Sequence, residues 1–380
     1  MKKILVVHTN YRFLGGEDTA VINEINFLKK YYEVKVIYFK NEISNIFVDL
    51  LSFFIRNNLN SSKIIEKEIE SYKPDLVYIH NTWFKVSLGI FKILDKKNIN
   101  TLIKLHNFRF DCAEGNHLRN SKLCHDCDGT RLNGIKNRCY QNSYVMSALA
   151  TKYGLNYFNI LKNSNFKILV LSEFHKEYLI QKGIDREKIF KYFNPLAILE
   201  PIEHSLVDKN QLIYAGRIDN SKGLDLMIDS FLKTELTYNL KLIGEGSMLQ
   251  SLKEKYKNYS NIIFTGRMDN TETRKEISLS RASLFTSYMY EGQPVFLCES
   301  SELKVPSVFP DIGGIKEFFP KNYPLSYEYN SQSDLVKKLK LLSDDKLMAK
   351  CQNLVSEHIL KLLNNETLLN NFKGILNEQK

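Results

Sequence analysis

The chain has 380 residues, 43% apolar and 25% charged, with a formal net charge of +10. At roughly 100 to 200 residues per domain, this predicts two globular domains, each able to bury a core, and excludes a disordered or fibrous chain. The apolar run Ile4 to Val7 is far short of a signal-peptide core, and no stretch reaches the roughly 18 apolar residues that span a bilayer, so a cytosolic location with thiol or metal-bound cysteines is expected. Residues 1–200 hold 30 Lys and Arg against 20 Asp and Glu, and the remainder holds 23 against 23. The first half therefore carries the whole net charge. That split points to a surface meeting a polyanion, with nucleic acid and an anionic membrane as candidates, and general solubility charge as the alternative.

Short apolar, β-branched runs alternate with amphipathic stretches, the pattern of parallel α/β sheets. Buried strands are predicted at 3–8, 34–39, 75–80, 101–105 and 167–171, and a second series at 211–215, 240–243, 261–264, 282–286 and 305–309. Helices are predicted between them, at 19–30, 224–232 and 247–256 among others. Pro195, Pro201 and the polar run 203–210 mark a linker, which divides the chain into two doubly wound domains. From Leu347 onward the sequence is helical, with Leu354, Ile359, Leu362 and Leu363 at apolar positions.

The first strand runs into Gly15-Gly16-Glu17-Asp18 before a helix. At the carboxyl end of a parallel strand, a glycine pair opening a helix exposes backbone N–H groups to a phosphate, although the spacing is not that of a dinucleotide fingerprint and a plain turn looks the same. The strand 211–215 ends in Gly216-Arg217, and Lys222-Gly223 opens the next helix. Two cations beside a helix amino terminus suit a diphosphate, and two solvated surface cations are the alternative. After strand 282–286, the run Glu291-Gly292-Gln293-Pro294-Val295-Phe296-Leu297-Cys298-Glu299 sets two carboxylates eight positions apart. With a helix starting near Gln293, Glu299 lies almost two turns in and Glu291 sits on the loop before it. Such a loop joins free N–H groups to a carboxylate, and this suits a sugar hydroxyl with its phosphate.

In order, GGED after the first strand, His106-Asn107, GRIDNSKG at 216–223, FTGRMDN at 264–270 and the E-x7-E segment resemble the family-4 glycosyltransferases over nearly the whole chain. The resemblance implies a GT-B fold, in which two Rossmann-like doubly wound domains face each other across a cleft and C-terminal helices pack back on the N-terminal domain. It implies an acceptor-binding domain at 1–197 with a Cys-rich insert at 107–140, a donor-binding domain at 198–350, and crossing helices at 351–380. It also implies a retaining enzyme that moves a sugar from a nucleotide-diphosphate sugar to an acceptor hydroxyl, with no metal used in transfer. By the same resemblance Arg217 and Lys222 hold the donor diphosphate, Glu299 the ribose, Glu291 lies beside the sugar, and His106 near the reacting centre. Gly15, Gly16 and Gly216 provide backbone around the phosphates, Gly292, Gln293, Pro294 and Val295 form the sugar and phosphate loop, and Arg267 flanks the base. Two departures stand out: EGQP replaces the usual EGFG or EGFP, and Ser300 to Lys304 replaces a small-residue turn.

Cys112, Cys124, Cys127 and Cys139 form C-x11-C-x2-C-x11-C directly after His106. Four soft ligands around a C-x-x-C knuckle suit a structural zinc, with His117 or His125 as substitutes and free thiols as the alternative. The resemblance extends to bacterial enzymes of surface polysaccharide synthesis, such as capsule or O-antigen, whose acceptors are linked to undecaprenyl diphosphate. This implies peripheral attachment to the inner face of the cell membrane. The segment 46–55, with Phe47, Phe53 and Phe54 before Arg56, is a membrane-touching helix on this reading and a buried core helix on the other. A GT-B-fold nucleotide-sugar epimerase shares the donor site, and a basic nucleic-acid-binding protein shares the charge but lacks stacking aromatics and a recognised motif.

Overall fold

The structure is a computed structural model and describes residues 1–10, 15–41, 58–127, 131–197 and 210–377. The 46–55 segment and most of the linker lie outside the described residues. The chain forms two units, one of Met1–Arg119, Cys124–Pro195 and the stretch from Asn371 onward, the other of Asn120–Leu123 and Leu196–Asn370.

The first unit holds six parallel strands, β1 (Lys3–Asn10), β2 (Glu33–Lys40), β3 (Leu76–Ile79), β4 (Thr101–Lys104), β5 (Lys167–Val170) and β6 (Ile189–Lys191), in the order β2-β1-β3-β4-β5-β6. Ile4, Leu5, Val6 and Val7 of β1 are all fully buried, since helices cover both faces of a central parallel strand and favour continuous apolar runs. Strand β2 departs from the buried strand expected at 34–39. It pairs only with β1 at the sheet edge, its residues alternate between exposed and half-buried, and Lys35 reaches Glu68 at 2.5 Å. Strand β6, absent from the sequence-based series, has only three residues and extends the other edge.

Helix α1 (Gly16–Leu28) packs a fully buried ion pair against this sheet. Lys104 Nζ on β4 donates to Glu24 Oε2 at 2.7 Å, Tyr78 Oη on β3 donates to Glu24 Oε1 at 2.6 Å, and both members of the pair have 0% side-chain exposure. Burial lowers the Lys104 pKa, opposed by Glu24. The chain re-enters this unit at Asn371, twenty residues later than the boundary expected at 351. There Phe372 is buried among Tyr32, Tyr78 and Tyr192, with ring centroids 5.3 to 6.0 Å away.

The second unit repeats the plan with β7 (Gln211–Ala215), β8 (Asn239–Ile243), β9 (Ile262–Gly266), β10 (Ala282–Leu284), β11 (Ser307–Asp311) and β12 (Ser326–Glu328), ordered β9-β8-β7-β10-β11-β12, all parallel. The α/β class expected from the sequence is therefore found twice. Helix Asp345–Leu362, placed by sequence partly among the crossing helices, belongs to this unit.

Truncating one member of a buried pair strands the other charge. Lys104→Met is therefore expected to lower unfolding free energy by about 3 to 5 kcal/mol, whereas Lys104→Met with Glu24→Leu should lose much less. Denaturant titration checks this, and equal losses in the single and double variants would show that the pair is not coupled.

Candidate active site

The carboxyl ends of parallel strands collect the loops between strand and helix, and the predicted residues lie there in both units. In the second unit the loop after β7 turns through Gly216 and Arg217 to Asp219. The Asp219 carboxylate accepts from Ser221 N at 2.9 Å and so shapes the turn that carries Lys222. Gly223 has φ +63°, and a Cβ there would lie 2.3 Å from the Thr286 carbonyl oxygen, so a side chain is excluded both by conformation and by space. This close approach locks the Lys222 loop to the loop after β10. Thr286 Oγ1 donates to the Lys222 and Gly223 carbonyls, each at 2.9 Å, and Tyr288 N donates to Ser221 O.

As a result Lys222 and Glu291, 69 positions apart, meet: Lys222 Nζ donates to Glu291 Oε1 at 2.6 Å, and Ser287 Oγ donates to the same oxygen at 2.9 Å. The expected diphosphate cations are thus not waiting unpaired. Arg217 lies 3.4 Å from Asp219 and its side chain is 60% exposed. Arg267, after β9, is exposed. Gly292 to Pro294 form the approach to helix Val295–Glu302, which begins two residues later than expected, so Glu299 sits about one turn in. Proline at the cap position forms no side-chain cap, which leaves the first N–H groups of the helix open to an anion.

Glu299 does not join the Lys222–Glu291 pair. It is 7% exposed, its Oε1 is buried with no hydrogen-bond partner among the described residues, and Arg274, itself paired to Glu302 at 2.8 Å, is nearby. Burial pushes the Glu299 carboxyl up to about 7, with Arg274 pulling it down. A buried carboxyl oxygen lacking a donor suits a ligand hydroxyl.

In the first unit Gly15 caps α1 and Gly16 begins it. Among the described residues a Cβ on either would meet nothing within 4 Å, and the Gly15 N–H donates to Asp18 Oδ2 at 3.0 Å. Asn107 Nδ2 donates to Glu17 Oε2 at 3.3 Å, which joins the GGED loop to the His106 loop. A small cavity is lined by His80, Thr82, Trp83, His106, Asn107 and Arg109 among others. The Arg109 guanidinium lies 4.2 Å over Trp83, and Thr82 Oγ1 shares a 2.6 Å hydrogen bond with Tyr153 Oη. His80, Trp83 and Arg109 were not singled out from sequence. The signal available for His80 was its place at the end of the predicted strand 75–80.

None of the four insert cysteines is in a disulfide. Cys124 N donates to His117 O at 2.8 Å, Cys139 N donates to Gly134 O at 3.0 Å, and a Cβ on Gly134 would stand 3.7 Å from Cys127 Sγ. Burial raises the pKa of Cys112, Cys127 and Cys139, with Cys127 at about 11. Among the described residues no group of three or more His, Cys, Asp or Glu side chains is arranged to hold a metal ion.

With this geometry in place, residues 200–358 match the family model described as glycosyl transferases group 1. The O-antigen biosynthesis glycosyltransferase WbnH of Escherichia coli is 29% identical over 163 residues, 43% of this chain and 46% of that protein, so the chain spans about half the length of the curated relative it matches. Two solved structures share the fold over the full chain. The lipopolysaccharide outer core galactosyltransferase WaaB has TM-score 0.66 at 16% identity, with 99% of both chains covered. Anabaena HepE in complex with UDP and glucose has TM-score 0.69 at 13% identity, with 100% of both covered. The two parallel-sheet units of this chain have the fold of the GT-B glycosyltransferases.

A carboxyl raised in the folded state stabilises below its unfolded value of 4.5, and that contribution is lost as pH rises through about 7. Glu299→Gln should therefore gain stability relative to the parent between pH 5 and pH 7.5. Paired denaturant titrations at the two pH values check the sign, and a constant difference would remove the raised carboxyl.

Proposed function

We propose that this chain is a retaining glycosyltransferase. It moves a sugar from a nucleotide-diphosphate sugar to a hydroxyl of a lipid-linked oligosaccharide, with the acceptor carried on undecaprenyl diphosphate at the inner face of the membrane during surface polysaccharide synthesis. The observation that carries this reading is the Lys222–Glu291 pair at 2.6 Å, set beside the open start of helix Val295–Glu302, in the part of the chain that matches the glycosyltransferase model. A donor diphosphate arriving there replaces Glu291 on Lys222 and recruits Arg217. The released Glu291 carboxylate then faces the sugar, and Glu299 takes the ribose hydroxyls. Arg267 flanks the base.

Breaking the anomeric C–O bond leaves negative charge on the nucleoside diphosphate. Fixed donors aimed at a developing anion are worth about 10²- to 10³-fold each. On this reading the acceptor hydroxyl forms the new C–O bond on the face the diphosphate leaves, and its proton goes to a phosphate oxygen of the leaving group. His106 serves the reacting centre, and the Gly16 backbone offers its amide to a phosphate, while the Gly15 N–H is held by Asp18 Oδ2 at 3.0 Å. Among the described residues no helix is long and apolar enough to cross a membrane, and on this reading attachment rests on some of the 30 basic residues of the first 200 together with the apolar segment 46–55. The WbnH and WaaB names, which refer to O-antigen and lipopolysaccharide, support the acceptor class.

UDP-, GDP- and TDP-sugars are screened with an undecaprenyl-diphosphate-linked acceptor in vesicles. Transfer should appear with one nucleotide, be faster on anionic vesicles and lose that gain in high salt. Lys222→Ala and Arg217→Ala should each lower turnover by about 10²-fold or more. Interconversion of the donor without transfer would make the chain an epimerase, and unchanged turnover in both variants would remove the assignment.

A structural zinc held by Cys112, Cys124, Cys127 and Cys139 remains a separate proposal and requires the thiols to draw together. One zinc per chain by elemental analysis, with slow unfolding under EDTA, supports it. An active, metal-free protein with four alkylatable thiols removes it.

A further inference from the structure

The carboxyl end of the first sheet holds a group of three histidine rings from adjacent strands, with His8 and His80 buried and His106 half-buried. His8 lies near the carboxyl end of β1, His80 follows β3, and His106 follows β4. His80 Nδ1 and His106 Nε2 lie 3.1 Å apart, and the two rings stack at 5.4 Å with 25° between their planes. His80 is held on its other sides. Its backbone N–H donates to Val7 O, its ring lies 4.3 Å from the Tyr78 ring, and His8 meets it edge-on at 6.2 Å. Tyr78 is fixed by its hydrogen bond to Glu24, and His8 by Asp18 on α1 at 2.9 Å. His80 therefore has little freedom, and both it and His106 line the cavity.

Only one nitrogen of a 3.1 Å contact between two neutral imidazoles can carry the proton, so the tautomer of one ring sets that of the other. The remaining nitrogen of His80, Nε2, is buried with no partner among the described residues. A bare nitrogen is the better occupant of such a place, because orphaned buried N–H groups are rare in folded proteins. The proton of His80 then sits on Nδ1 and is donated to His106 Nε2, which leaves His106 with its own proton on Nδ1.

We propose that His80 is a positioning residue that fixes His106 in one ring orientation, with its proton on Nδ1. His106 thereby meets its substrate as a hydrogen-bond donor and not as a base. Burial pushes both imidazoles well below the usual histidine range, and Lys104 and His8 add to this for each ring, so the neutral forms are favoured at neutral pH. The kinetic part of this inference rests on the glycosyltransferase reading; the tautomer part does not.

Nitrogen-15 histidine spectra of the whole protein at pH 7 read the tautomer without turnover. His106 should be a single neutral species protonated on Nδ1, and His80→Phe, which keeps a stacked ring but no nitrogen, should give a mixture. A proton on Nε2 of His106 in the parent, or an unchanged spectrum in the variant, overturns the proposal. With the donor found by the screen above, His80→Phe should lower kcat by about 10- to 100-fold while donor KM stays within about twofold. His80→Asn, whose amide can stand near the place of Nδ1, should recover part of the loss. Because His80 acts through His106, the double variant His80→Phe, His106→Phe should be no slower than His106→Phe alone. Additive losses, or no loss in His80→Phe, overturn it. Absence of transfer in the parent with every donor overturns the functional reading alone and leaves the spectra to decide the role of His80.

Discussion

The buried Lys104–Glu24 pair is the contact on which the first unit turns. Two charges at zero exposure are tolerable only because the geometry is close and further groups satisfy them: Tyr78 donates to the second carboxylate oxygen, and the Lys104 ammonium lies 4.7 Å over the Tyr192 ring. The pair ties α1 to β4 and β3 together. Those elements carry the Gly15–Gly16 turn, His106 and His80 respectively, so one interaction sets the placement of all three. The same Tyr78 ring supports His80 from the side, and ring order at the sheet end is therefore coupled to the charge pair beneath it.

In the second unit the organising constraint is steric. Backbone segments at Gly223 and Thr286 approach so closely that only glycine fits, and the same is true at Gly244, where φ is +141° and a Cβ would stand 1.8 Å from the Gly216 carbonyl oxygen. These approaches stack the loops after β7, β8 and β10 on one another. Lys222 and Glu291 are neighbours for that reason and not through any attraction strong enough to gather distant loops. With side-chain exposures of 12% and 15% the pair is largely buried, so in the proposed donor site a diphosphate that replaces Glu291 must itself satisfy the Lys222 ammonium.

The cations of the proposed donor site are thus stored against carboxylates, Arg217 by Asp219 and Lys222 by Glu291. Storage of this kind keeps each side chain near its working position and limits repulsion between like charges when no anion is present. On the proposed function, a diphosphate with more charge than one carboxylate would shift the balance by Coulomb attraction.

The two-domain parallel fold was legible in the sequence because runs such as Ile4 to Val7 and Leu212 to Tyr214 are continuously apolar, and covered parallel strands require that. Glycine at 223, cations at 217 and 222 and carboxylates at 291 and 299 were legible as local patterns at strand ends. The edge character of β2, the helix start at Val295, the pairing of Lys222 with Glu291, the separation of Glu299 from that pair and the His80–His106 contact were not. Each depends on which loops are brought side by side, and strand order in a sheet is set by long-range packing that no local spacing records. The sequence supplied the chemical groups and their strand ends; the tertiary structure alone decided which groups touch and which are left buried without a partner.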